Sequence, residues 1–306
     1  MLDLDKLKTT AGLDLEGKRV LVRADLNVPV KDGKVSDATR LERLLPGLED
    51  LAGRGARIVV VSHFGRPKGG PEPGLSLEPV ARKLSELIGR PVAFAPDCIG
   101  SVAEAAVAAL RPGGIAVLEN LRFHKGEEKN DAAFAQALAR LADLYVGDAF
   151  STAHRAHAST DAVTRLMPFY AGPLMMEEID ALRSVLEAPR RPVAAVIGGA
   201  KVSTKIALLT NLVDKVDKLI IGGAMANTFL LAQGVNVGKS LAEPDLAQTA
   251  RDIVHAAKAR GCEVVLPADA VVAAKLEACA PSRICPVLEV PADQMILDVG
   301  PKAVAH

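Results

Sequence analysis

Arg23, Asp25 and Asn27 alternate through the segment RVLVRADLNVPV, residues 19–30, between two apolar runs. Side chains two apart share a face of an extended strand. The spacing therefore predicts a cation, an anion and an amide in a row on one side of a strand over 19–26. A buried strand does not carry such a row without a use for it. Cations recur in the same context further along. VVVSHFGRPKGG carries His63, Arg66 and Lys68, LENLRFHKGEEKND carries Arg122, His124 and Lys125, and GDAFSTAHRAHAST carries His154, Arg155 and His157. Arg40 follows SDAT at the expected start of a helix. Arg grips phosphate and carboxylate through a planar, bidentate fork. Alone, one such Arg reads as a solvated surface residue and one His as a packed or capping residue. Recurrence at successive strand exits points instead to a basic cup for a small, highly anionic metabolite. Asp25 would orient Arg23 or a substrate hydroxyl, and Asn27 would bond one.

The second half carries a different signature. VAAVIGGAKVSTKIALLTNLV reads as a buried strand, a Gly-Gly turn and a helix over 203–214. Ser203 or Thr204 sits near its N-cap, and Lys201 and Lys205 flank its start. A second Gly-Gly, Gly222 and Gly223, closes the strand of LIIGGAMANTF. Glycine lets the backbone approach a ligand, and a helix N-terminus offers free N–H groups to phosphate. Neither GxxxxGK[ST] nor GxGxxG is present here, which argues against a Walker-type loop and a nicotinamide dehydrogenase. An Arg/His cup in one half and a glycine-lined, lysine-bearing turn in the other suggest two anionic substrates brought face to face. Phosphoryl transfer fits, because it needs positioning and cationic stabilisation with little covalent help.

These residues need a scaffold, and the hydrophobic pattern supplies one. The chain has 306 residues, 49% apolar and 24% charged, with only 3% aromatic residues and no Trp. At roughly 150 residues per domain this suggests two domains with aliphatic cores. Short apolar runs at 57–61, 91–95, 115–118 and 143–147 alternate with amphipathic or Ala/Leu-rich stretches near 38–52, 77–88, 101–110 and 131–142. Such alternation reads as βαβ units on a mostly parallel sheet. A Pro/Gly-marked segment at 167–173 precedes an amphipathic helix, LMMEEIDALRSVLEA. The alternation then restarts, with strands at 193–197, 218–221 and 263–266 and helices near 224–233 and 244–260. QMILDVGPKAVAH adds a strand, a Gly-Pro turn and a beginning helix.

The formal net charge is zero, which argues against a bulk binder of nucleic acid or of anionic membranes. No apolar run approaches the ~18 residues of a membrane helix, and MLDLDKLKTT has no apolar h-region. Cys98, Cys262, Cys279 and Cys285 form no CxxC pair and read as reduced thiols of a cytoplasmic protein. No metal site is expected from this pattern.

The blocks VLVRADLNVPV, SDATRLERLLPGL, VVSHFGRPKG, LENLRFHKGEEKND, DAFSTAHRAHAST, GPLMMEEI, VIGGAKVSTKI, IIGGAMANTFL and LDVGPKA, in this order, resemble phosphoglycerate kinases of the bacterial type over nearly the whole chain. The resemblance implies two α/β domains, each a doubly wound parallel sheet, with a cleft that closes by hinge bending. Here they would be a phosphoglycerate-binding domain over 1–172, a connecting helix over 173–189 and an incomplete nucleotide-binding domain over 190–306. It implies reversible phosphoryl transfer between 1,3-bisphosphoglycerate and Mg-ADP, giving 3-phosphoglycerate and Mg-ATP, a glycolytic step. It also implies a cytoplasmic monomer without nucleic-acid or membrane partners.

By the same resemblance Asp25, Leu26 and Asn27 would meet the glycerate moiety. Arg40, His63, Phe64, Gly65, Arg66, Arg122 and Arg155 would hold its anionic groups. Arg40, Lys201 and Lys205 would be catalytic, the lysines on the nucleotide phosphates. Gly199, Gly222, Gly223 and Gly300 would line the nucleotide pocket. The ATP/ADP cofactor would hold Mg²⁺ mainly through its phosphates, with no metal ligand assigned among these residues. Phe64 and Gly147 stand where Leu and Asn are commoner. After LDVGP the family continues with a WNGPxGxFE segment and a glycine-rich acidic loop that do not occur here. The expectation is a truncated form lacking roughly the last quarter, with impaired catalysis. The alternative is a non-catalytic remnant that binds phosphoglycerate.

Overall fold

In the computed structural model, residues 6–187 and 189–306 are described. The opening residues 1–5 and Ala188, near the end of the expected connecting helix, lie outside them. The chain forms two compact units, Met1–Ala181 and Leu182–His306.

The first unit alternates strand and helix as the hydrophobic pattern predicts. Its elements are β1 (Arg19–Arg23), a short hairpin of β2 (Val30–Lys31) and β3 (Lys34–Val35), α1 (Thr39–Gly53), β4 (Arg57–Val61), α2 (Glu78–Ile88), β5 (Ala93–Ala95), α3 (Gly100–Ala108), β6 (Ile115–Leu118), α4 (Ala132–Ala139), β7 (Leu144–Gly147), β8 (Phe169–Ala171) and α5 (Pro173–Leu186). Six strands make one sheet in the order β5-β6-β4-β1-β7-β8, every pair parallel. Its two faces are both covered, as a parallel sheet requires. Val20, Val22, Ile58 and Val60 pack with α1 and α2 on one side. Leu21, Val59, Val61 and Leu118 pack with α3 and α4 on the other.

Two details depart from the sequence reading. β1 ends at Arg23 rather than at 26. Ala24 N–H still donates to the Val61 carbonyl at 3.0 Å. Beyond it, Leu26 N–H goes to Ser62 Oγ and Asn27 N–H goes to Asp25 Oδ1. Side chains take the donors a ladder would need, so the strand stops. Asp25 and Asn27 therefore sit on an exit loop, not in a row with Arg23. The Pro/Gly-marked segment at 167–173 contributes the edge strand β8.

The second unit contains β9 (Ala194–Ile197), α6 (Ile206–Leu212), β10 (Lys218–Ile221), α7 (Gly223–Ala232), α8 (Ala247–Ala259), β11 (Glu263–Val265), β12 (Asp269–Ala273), β13 (Ser282–Pro286), β14 (Met295–Val299) and α9 (Pro301–Ala305). Its parallel sheet has the order β11-β10-β9. A separate antiparallel sheet, β13-β12-β14, was not expected. The strand foreseen in QMILDV is real, but it pairs antiparallel with β12. The helix expected over 203–214 begins only at Ile206. Ser203 instead turns its hydroxyl and its N–H to the Glu243 carboxylate, at 2.6 and 3.1 Å.

Candidate active site

The sheet of the first unit fills leftward from β1 and then crosses back, so its order reverses between β1 and β7. Ligands of open parallel sheets bind beyond the carboxyl ends of the strands at such a reversal. A cavity of about 220 Å³ lies there, with Asp25, Arg40, Arg43, Asp148 and Ser151 among its lining residues.

Asp25 is its organising group. Its Oδ2 accepts from Arg40 Nη1 at 2.8 Å and from Ser151 Oγ at 2.7 Å. Its Oδ1 accepts from Asn27 N–H at 3.1 Å. Burial by itself would raise this carboxyl. The Ser151 hydroxyl, the Asn27 N–H and the Arg40 guanidinium outweigh it and hold Asp25 below the usual carboxylate range. Arg40 also donates to the Asn27 carbonyl at 3.1 Å, while its side chain remains 54% exposed. The cation is thus aimed by one anion and still reachable by another.

The network continues across the sheet. Asn27 Oδ1 accepts from Gly65 N–H at 3.0 Å, and the Gly65 carbonyl accepts from Arg122 Nη1 at 2.7 Å. Gly65 has φ +59, and a Cβ there would come 2.6 Å from Leu75 Cδ2. Arg122 pairs with Glu128 at 3.1 Å through a nitrogen that makes no hydrogen bond of good geometry. Arg155 and Arg66 both act electrostatically on Arg122, and Arg155 also acts on His63. Asp25, Asn27, Arg40, His63, Gly65, Arg66, Arg122 and Arg155 thus form one polar cluster at the exits of β1, β4, β6 and β7.

His63 is 5% exposed. Burial, then the Arg23 and Arg122 guanidiniums, push its imidazole down to about 3. Arg23 Nη2 lies 3.2 Å from His63 Nδ1. Arg can only donate, so Nδ1 accepts and the proton resides on Nε2. His63 is therefore a neutral donor within a cationic cluster.

Arg23 corrects the sequence reading. It is 2% exposed and takes no part in the cavity at the β1–β7 reversal. Its Nε donates to Ser159 Oγ at 3.0 Å, and Ser159 Oγ donates to the fully buried Glu127 at 2.6 Å. Arg23 therefore supports His63 from beneath, and Asp25 orients Arg40 instead. Leu26 and Phe64 are also buried, with their N–H groups given to Ser62 and Asn120. They fix the loops rather than offer side chains. His124 pairs with Asp97 at 2.7 Å, His157 faces Glu127 at 3.8 Å, and His154 is exposed.

In the second unit the two Gly-Gly turns meet. A Cβ on Gly223, whose φ is +64, would stand 3.1 Å from the Gly199 N and O atoms. Gly222 N–H donates to the Ile197 carbonyl, and Met225 N–H donates to the Gly199 carbonyl. Gly222 is the N-cap of α7. A largely apolar cavity of about 280 Å³ opens beside its first turn, lined by Gly223, Ala224, Asn227, Leu241, Val287 and Asp298 among others. Lys201 is exposed and Lys205 half-buried at the N-cap of α6; neither lines that cavity. Gly300 is near it in sequence but serves a different contact. A Cβ there would strike the Asp269 carboxylate, which accepts from Lys302 and Ala303 N–H at the start of α9.

The family model described as phosphoglycerate kinase matches residues 10–306. A phosphoglycerate kinase of Methylorubrum extorquens strain PA1 is 59% identical over 291 residues, covering 95% of this chain and 73% of the relative. The chain belongs to the phosphoglycerate kinase family. A phosphoglycerate kinase of Rhodospirillum centenum is 58% identical over 297 residues, covering 97% of this chain and 75% of the relative. Two solved structures of the family, each covered over 76% of its length, match 98% of the chain. The enzyme from Coxiella burnetii has a TM-score of 0.79 at 42% identity, and that from Pyrococcus horikoshii 0.82 at 29%.

Several residues around the phosphoglycerate-kinase cluster escaped the sequence reading. Ser151 lies inside GDAFSTAHRAHAST but is uncharged, and attention to cations passes over it. Asp148 is 4% exposed, and its Oδ1 accepts from Met175 N–H at 3.1 Å in the first turn of α5. Burial raises its carboxyl against the pull of those N–H groups. Asn120 bonds the Phe64 N–H and carbonyl at 3.0 and 2.7 Å and so holds the β4 exit loop. Nothing in local spacing distinguishes such fixing residues from ordinary loop polars.

Proposed function

We propose that this chain catalyses reversible phosphoryl transfer between the acyl phosphate of 1,3-bisphosphoglycerate and Mg-ADP. The observation that carries the reading is the exposed Arg40 guanidinium aimed by Asp25 at the edge of an Arg/His cluster. That arrangement is supported by membership of the phosphoglycerate kinase family. Residues 1–172, within the first unit, bind 3-phosphoglycerate. Arg66, Arg122 and Arg155 take its phosphate and carboxylate charge, and His63 Nε2–H adds a neutral hydrogen bond. Asp25 and Asn27 face the glycerate hydroxyl. Arg40 neutralises charge on the phosphoryl group as it passes between oxygens, which is where a cation counts most in a loose transition state.

Residues 190–306 take the nucleotide, with residues 173–189 as the connecting helix. The donor set fits it. The apolar walls beside α7 suit a base, the paired glycines let the backbone approach, and Lys201 and Lys205 provide mobile charge for phosphates. When bound, Mg²⁺ supplies charge neutralisation between the phosphates. The chain acts as a monomer in the cytoplasm, with small molecules as its partners. Among the described residues no helix is long and apolar enough to cross a membrane.

The test is ATP consumption with 3-phosphoglycerate and Mg²⁺, run beside calorimetric titration with 3-phosphoglycerate alone. Phosphoglycerate-dependent turnover lost in Arg40→Ala supports the kinase reading. Binding without turnover favours the alternative, a phosphoglycerate-binding protein without catalysis. Neither binding nor turnover overturns both.

A further inference from the structure

Asp97, Cys98 and His124 form a cluster that the phosphoglycerate reading does not use. Asp97 and Cys98 follow β5, and His124 follows β6. The parallel pairing of Ala95 with Leu118 brings the two exits side by side. One oxygen, one sulfur and one nitrogen donor lie within 4.8 Å of one another, the only such group of three among the described residues. We propose that these three side chains bind a zinc-class divalent cation.

Each donor is already placed. Asp97 Oδ1 accepts from the Cys98 N–H at 2.6 Å and lies 2.7 Å from His124 Nε2. The Phe134 ring packs against the imidazole with centroids 5.3 Å apart, which limits its swing. Tetrahedral zinc holds sulfur at about 2.3 Å and nitrogen or oxygen at about 2.0–2.2 Å, so neighbouring donors stand roughly 3.2–3.6 Å apart. Insertion therefore asks the Asp97–His124 contact to open by less than about 1 Å. Cys98 is fully buried, while the Asp97 and His124 side chains are 42% and 32% exposed, so the ion reaches the sulfur from their side. Three protein ligands leave a fourth position for water.

The electrostatics favour a cation. The carboxylates of Asp97, Glu127 and Glu119 all act electrostatically on Cys98, and this negative charge beside the three donors attracts a dication. Binding balances as M²⁺ plus the thiol giving the metal thiolate and one released proton. The His124 proton moves from Nε2 to Nδ1 as Nε2 becomes a ligand. The sulfur–nitrogen–oxygen set selects zinc, cobalt or cadmium over Mg²⁺, which prefers oxygen alone.

The experiment is titration of the metal-stripped chain with Co²⁺, followed by Zn²⁺. The expected result is one equivalent of Co²⁺ with a thiolate-to-cobalt charge-transfer band, bleached by Zn²⁺ and indifferent to excess Mg²⁺. Cys98→Ser abolishes the band, and Asp97→Asn or His124→Gln weakens binding by an order of magnitude or more. Cys262→Ser, a buried thiol elsewhere, leaves it intact. Absence of the band overturns the proposal. So does its persistence in Cys98→Ser, which assigns the metal to another thiol such as exposed Cys279. Should Cys98→Ser fail to fold by circular dichroism, the two variants at the exposed ligands decide alone, and unchanged affinity in both overturns the site.

Discussion

His63 offers the most direct check on the electrostatics of the cup. Its ordinary value of 6.5 falls to about 3 in the fold, because burial and then Arg23 and Arg122 oppose a charge on the ring. The unfolded chain therefore takes up a proton that the folded chain refuses. A group whose folded value is depressed stabilises the fold above its unfolded value, and that stability is lost as pH falls. The window runs from 6.5 down to about 3. Linkage gives a loss of about 2.5 kcal/mol between pH 7 and about pH 4.5 from this residue, rising to roughly 4 kcal/mol near pH 3. Above about pH 7 it contributes nothing to the pH dependence. Two assays read this. Nitrogen–proton correlation spectra should show His63 neutral, with the proton on Nε2, down to about pH 4.5. Denaturant unfolding should show a steeper acid-side loss in the wild type than in His63→Gln, by that same ~2.5 kcal/mol. An imidazole that titrates near its ordinary value would refute the reasoning, and so would equal acid slopes in the two proteins.

The remaining expectations concern single contacts. Arg40→Ala should lower turnover about 10³-fold, with a smaller change in KM, in a steady-state assay, by analogy with other cationic stabilisers of phosphoryl transfer. An effect confined to KM would assign Arg40 to ground-state binding. Ser151→Ala removes a 2.7 Å donor to Asp25. It should raise the Asp25 carboxyl towards its ordinary range and weaken 3-phosphoglycerate binding roughly five-fold, for about 1 kcal/mol, by calorimetry. Arg23→Met withdraws the buried cation that Ser159 links to buried Glu127, and chemical denaturation should show a loss of about 3–5 kcal/mol. A neutral result would mean Ser159 and His157 alone satisfy the carboxylate. Gly223→Ala imposes φ +64 on a side chain 3.1 Å from the Gly199 backbone. The expected cost is about 1–2 kcal/mol of stability, with nucleotide affinity falling in the same variant.

Sequence alone determined the alternation. The aliphatic runs at 57–61 and 115–118 are strands with those bounds, because a strand covered on both faces must be continuously apolar. The amphipathic stretches between them became α1 to α4 for the complementary reason, one stripe facing the sheet. Sequence also determined that cations collect at strand exits, since strand and helix order fixes which end of the sheet each loop joins. It could not see β8, inside a Pro/Gly-marked segment, or β12 and β13, and so missed the antiparallel sheet that the foreseen strand in QMILDV joins.

Only the tertiary structure decided what each polar residue does there. Arg23, Asp25 and Asn27 look equivalent by spacing, yet one is buried against Ser159 and His63 while the others sit on the exit loop and bond Arg40 of α1. The difference arises because Ser62 and Asp25 intercept the ladder hydrogen bonds after Ala24, so the strand ends at Arg23, three residues before the pattern does. Ser151 reaches Asp25 across 126 positions of sequence, and Gly199 meets Gly223 only because β9 and β10 are neighbours. Such contacts depend on the register and order of strands, which long-range packing sets and local residue type does not encode.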